Sequence, residues 1–93
     1  MEITEDKLNK NFEITKKALE KAKEAPENLN ITDSTRKEFI DMIESYINDA
    51  EHFKLKGDVV NAFAALNYAH GWLDAGSRIG IFDVHDSELF AND

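Results

Sequence analysis

Gly57-Asp58-Val59-Val60-Asn61-Ala62-Phe63-Ala64-Ala65-Leu66-Asn67-Tyr68-Ala69-His70-Gly71-Trp72-Leu73-Asp74-Ala75-Gly76-Ser77-Arg78-Ile79-Gly80 is the stretch that decides the fold. Glycines bound it, and only Asp58, Asp74 and Arg78 in it are charged, in a chain where 32% of residues are. It also holds the single Trp and one of the two Tyr residues. A segment this apolar has to lie inside the protein. Set on a helix, Val59, Phe63, Leu66 and Leu73 form one apolar face, and Ala62, Ala65, Ala69 and Trp72 form the next. A helix needs two adjoining apolar faces when it packs against two others at once. Its polar positions shrink to one stripe, Asn67, Gly71, Asp74 and Arg78, and Gly80 is the expected C-cap.

Upstream, the spacing predicts a helix over 33–56. Phe39, Ile43, Tyr46, Ala50 and Phe53 recur along it, with Ile40 and Ile47 widening the stripe. Thr32, Asp33 and Ser34 compete as its N-cap, and Gly57 closes it as a left-handed cap. Asp58 directly after Gly57 caps the next helix, over 58–79, so the two run antiparallel through a very short turn. The first helix is expected over 4–25. Leu8, Phe12, Thr15, Leu19 and Ala22 lie on its apolar stripe, flanked by Ile14, Ala18 and Ala25, and Thr4 is its N-cap. Pro26 stops it, because proline removes a backbone donor and disfavours helix at the residue before it. In the connection that follows, Leu29 and Ile31 are expected to close the end of the core. Phe82, Val84, Leu89 and Phe90 make the tail over 81–93 too apolar for water, so part of it should fold back on the bundle or meet another subunit. The chain therefore reads as one all-α domain over 1–93, a three-helix antiparallel up-and-down bundle with a short C-terminal tail.

Composition excludes several functions. There is no cysteine, hence no disulfide framework and no thiolate metal site. The net charge is -8, and residues 58 to 93 hold six acids against one base, Arg78. Phosphate backbones are gripped by Lys and Arg clusters, so this third is neither a nucleic-acid surface nor a dock for anionic lipid. The opening residues lack a signal-peptide pattern, and no stretch nears the roughly 18 apolar residues of a membrane span. The expectation is a soluble cytoplasmic protein without cofactor or metal.

The run from Lys56 to Val84 carries a family resemblance. Gly57-Asp58 opens a helix, Ala65-Leu66-Asn67-Tyr68-Ala69 follows, then Gly71-Trp72-Leu73-Asp74-Ala75-Gly76, the basic Arg78 and a small apolar end. This pattern resembles the short archaeal proteins known as domain of unknown function 357. The resemblance implies a three-helix bundle and supplies no activity. Residues 56–69 are also similar to the helical hairpin of tetratricopeptide repeats, but in a single copy, and such repeats need neighbours.

For chemistry, the stripe Asn67, Gly71, Asp74, Arg78 is the best ligand-binding candidate. It could bring an amide, a carboxylate and a guanidinium to one ligand with Gly71 leaving room, against the simpler reading of an exposed seam with an Asp74–Arg78 ion pair. His70 reads as a packing residue at the core margin. Asp83, His85, Asp86 and Glu88 are ligand-type residues without a recognised metal spacing, and so read as a polar tail. Arg78 and His85 resemble the arginine and histidine motif of helical ribonuclease domains, with Ile79 standing where that family favours a polar residue. No residue is assigned as catalytic. Tyr68 and Trp72 lie on different sides of the third helix, so an aromatic patch can remain for a partner. The reading that results is a non-enzymatic interaction or scaffold module, self-associating as a homodimer or docking another protein. The alternative is a small-ligand or nucleotide-handling protein using Asn67, Asp74 and Arg78.

Overall fold

The computed structural model describes residues 2–25, 33–84, 86 and 88–90. Three helices follow one another, α1 (Glu5–Glu24), α2 (Asp33–Leu55) and α3 (Val59–Arg78). They pack as the all-α three-helix bundle that the apolar periodicity dictates.

Local chemistry sets the helix ends. The Thr4 hydroxyl accepts from the Lys7 amide at 3.1 Å, with Glu5 and Asp6 in the first turn where carboxylates suit the dipole. Ala25 leaves the helix in extended conformation. Pro26, Leu29, Ile31 and the competing cap Thr32 lie outside the described residues, while Asp33 and Ser34 already sit in the first turn of α2 rather than before it.

The other two C-termini are built alike. Gly57 (φ 77°) and Gly80 (φ 86°) take the left-handed conformation that only glycine enters without strain. The Asp58 amide donates to the Phe53 carbonyl (2.9 Å) and the Ile81 amide to the Gly76 carbonyl (2.8 Å), each a six-residue closure of a Schellman motif. Asp58 also caps α3, its carboxylate accepting from the Asn61 amide (3.1 Å) and side chain (2.7 Å).

The core draws on all three helices and the tail. Leu8, Thr15 and Ala18 of α1, Ile43 of α2, and Leu66, Ala69 and Leu73 of α3 are closed to solvent. The α2 stripe sits slightly rotated from its expected centre. Ile40, Ile43, Ile47 and Ala50 are buried, whereas Phe39, Tyr46 and Phe53 are half-buried at the margin. The tail folds back, burying Ile81, Phe82, Val84, Leu89 and Phe90. Two polar devices hold its return. Lys21 of α1 pairs with Asp86 at 3.3 Å, and the Asp86 carbonyl accepts from the Leu89 and Phe90 amides.

Arg36 supplies a tie that no periodicity announces. From the first turns of α2 its guanidinium Nη2 reaches the Ala22, Lys23 and Ala25 carbonyls at 2.9, 2.7 and 3.4 Å. The last carbonyls of a helix lack intrahelical donors and carry its negative dipole end, so a guanidinium there satisfies both needs. It joins α1 to α2 across the connection.

Candidate docking face

The aromatic residues displaced from the core gather on one side of the α2–α3 pair. Phe39 meets Trp72 edge-on (centroids 4.9 Å, planes at 79°), and Tyr46 stacks on Tyr68 (5.4 Å, 19°). Edge and offset stacks of this kind add about 0.5–1.5 kcal/mol beyond area burial. They zip the two helices together along a seam that solvent still reaches. Tyr68 remains 64% exposed and Met42 37% exposed.

Three hollows join along this seam. One of about 370 Å³ is lined by Phe39, Asn67, Tyr68, Gly71, Trp72 and Ala75. A second, of about 360 Å³, shares Phe39 and Trp72 and adds Met42, Glu38 and Asp41. A third, of about 210 Å³, runs on from Tyr68 past Tyr46, Phe53 and Asp49. The result is a shallow groove with an aromatic floor and an acidic rim on the α2 side.

The polar stripe of α3 does not converge on one point. Asn67 and Gly71 line the aromatic hollow. Asp74 turns away from that hollow, its Oδ2 3.5 Å from Nε2 of His70. His70 keeps Nδ1 enclosed with no hydrogen-bond partner among the described residues. Arg78 is exposed in the last turn. Tyr68 and Trp72 end on the same groove rather than on different sides of α3, because residues four apart lie only about 40° apart around a helix and both rings meet α2.

The two glycines of Gly71-Trp72-Leu73-Asp74-Ala75-Gly76 have unlike surroundings. A Cβ on Gly71 would meet nothing within 4 Å, while one on Gly76 would lie 2.4 Å from Cε2 of Phe82. Gly76 is the notch that lets the tail ring sit against α3.

His85, and with it the Arg78–His85 pairing, lies outside the described residues. Among the described residues no three His, Cys, Asp or Glu side chains gather as a metal site, and Asp86 is engaged by Lys21. A hollow of about 850 Å³ between α1 and the tail is rimmed by Lys10, Lys17 and Lys21 against Glu13, Glu20 and Asp86, with Lys17 paired to Glu13 and Lys21 to Asp86. No described helix is long and apolar enough to cross a membrane.

Searches of curated proteins and of solved structures return no match to this chain. A family model described as Protein of unknown function (DUF357) matches residues 10–82, which takes in all of α2 and α3, most of α1 and the start of the tail. The chain belongs to the DUF357 family.

Proposed function

We propose that this protein is a non-enzymatic interaction module that receives a helical surface in the α2–α3 groove, with Tyr68 and Trp72 as anchors. One observation carries this reading. The chain leaves Tyr68 64% exposed and Trp72 and Tyr46 only partly buried along a continuous groove at the surface, although removing their remaining apolar area from water would contribute about 25 cal/mol per Å². Tyr and Trp at the centre of such a patch are the residue types that dominate protein interfaces.

The test uses surface substitutions that the fold tolerates. Tyr68→Glu and Met42→Glu should keep the helical circular dichroism of the parent, with Tyr68→Glu lowering the thermal midpoint only by the few degrees that loss of its stack on Tyr46 implies. Each should abolish the complexes that the parent forms, seen by sedimentation and by crosslinking in cell extract. Complexes retained undiminished by both variants would refute the docking face.

A small-ligand reading is favoured by a narrower observation. The hollow at Gly71 combines two aromatic walls with the Asn67 amide, a fit for a flat heteroaromatic molecule. A metabolite thermal-shift screen decides it. A stabilising ligand should lose its effect in Asn67→Ala, and an effect indifferent to that change excludes this hollow.

A further inference from the structure

We infer that the occupant of the groove is a second copy of this chain, related by a twofold axis parallel to the helices, so that α2 of each copy covers α3 of the other. This rests on the docking-face reading and names its partner.

The two rims of the groove are unlike. On α2 the rim is acidic, with Glu38, Asp41 and Asp49, Asp41 being paired with Lys37 at 2.8 Å. On α3 the rim is Asn67 and Gly71, and the exposed Arg78 follows Gly71 by seven residues, two turns further along the same helix face. A twofold axis that set α2 on α2 would oppose acid to acid, and like charges across an interface are strongly disfavoured. The axis parallel to the helices sets the acids against an uncharged rim, and Glu38 within reach of Arg78. Of the two arrangements, that one makes the surface complementary to itself.

The levels also agree. Phe39 touches Trp72 and Tyr46 stacks on Tyr68, which fixes how the antiparallel helices align. Met42 lies between the first two on α2, and Gly71 between their partners on α3. An axis parallel to the helices keeps every level, so Met42 of the second copy arrives over Gly71. Gly71 has open space above it and no positive φ, so the fold makes no use of its missing side chain, and a mid-helix glycine is a destabilising choice. An exposed, flexible methionine at the same level is a suitable filler for the gap. Helices of 20 and 23 residues give a face about 30 Å by 20 Å, or roughly 1,200 Å² over both copies, the lower bound for a stable interface.

The chain has no cysteine, which makes crosslinking a direct test. The variant carrying both M42C and G71C should oxidise to a disulfide-linked dimer, while M42C alone and G71C alone stay monomeric on a non-reducing gel. R78E should weaken the parent dimer by about tenfold, since symmetry places the pair twice, and E38R with R78E should restore it. Because each copy carries a net charge of -8, added salt should strengthen association. Single-cysteine variants that crosslink as well as the double one overturn the geometry, as does a dimer indifferent to the charge swap. A parent that sediments as a monomer at millimolar concentration, or that binds a Lys-rich amphipathic helical peptide and loses it in salt, overturns the second copy as occupant. Those results leave the docking face standing if Tyr68→Glu still abolishes the complex found, and remove it if Tyr68→Glu does not.

Discussion

Gly71 and Gly76 lie five residues apart in one helix, and the same substitution should act on them with opposite sign. Replacing a mid-helix glycine by alanine removes a backbone entropy cost of about 0.5–1 kcal/mol. At Gly71 nothing opposes that gain, so Gly71→Ala should stabilise the dilute, monomeric protein by about 0.5–1 kcal/mol, or about 2–8 °C for a domain of this size. At Gly76 the added methyl would stand 2.4 and 2.7 Å from Cε2 and Cδ2 of Phe82. That ring is 1% exposed and edge-on to Phe39 at 6.4 Å, so it has no free end to swing. Overpacking of this kind costs about 1–3 kcal/mol, and losing the ring's site altogether would approach the 3–5 kcal/mol of a buried Phe→Ala change. Gly76→Ala should therefore destabilise by up to about 2.5 kcal/mol after the propensity gain is subtracted. Urea unfolding followed by circular dichroism measures both, and because the propensity gain is common to the two variants they should be separated by the overpacking cost of about 1–3 kcal/mol. A double-mutant cycle isolates the cause, because in a Phe82→Ala background the clash is absent and Gly76→Ala should become neutral or stabilising. Gly76→Ala remaining as harmful in that background as in the parent would refute the packing account.

Other consequences can be measured in the same way. Arg36→Ala should cost about 1–2 kcal/mol, because charge-assisted hydrogen bonds to the α1 carbonyls are lost and water replaces them only in part; hydrogen exchange should rise in the last turn of α1 before it rises elsewhere. Asp58→Ala should cost about 1 kcal/mol through loss of the α3 cap, and Asp58→Asn should recover most of it. Lys23 is held above its ordinary pKa of 10.5, chiefly by its hydrogen bond to Glu44 at 2.9 Å, with burial opposing. A raised lysine pKa gives stability that is complete at neutral pH and lost as pH climbs through the folded value, so unfolding midpoints should fall above pH 10.5. The pair is largely solvated, so the loss is a few tenths of a kcal/mol, and Lys23→Met should remove this part of the alkaline decline.

The fold was legible because helix signals are local. Thr4, Asp58, Gly57 and Gly80 act within three to six residues of themselves, and each does in the structure what its chemistry suggests. What escaped is what depends on a neighbour distant in sequence. On α2 the rows Phe39-Tyr46-Phe53 and Ile40-Ile47 flank Ile43 and Ala50 on either side, and periodicity alone cannot say which row turns inward. Packing chose the isoleucines, and that choice moved the aromatics to the margin and created the groove. The Asn67-Gly71-Asp74-Arg78 stripe was legible as four polar positions but not as a division of labour, because whether Asp74 turns to His70 is settled by side-chain geometry. Gly71 and Gly76 look equivalent on the page, and only the return of Phe82 separates them. The same reasoning bears on function. Gly76 is accounted for by this chain's own tail, and Gly71 by nothing within it, so the surface around Gly71, Tyr68 and Met42 is where a second molecule has most to explain.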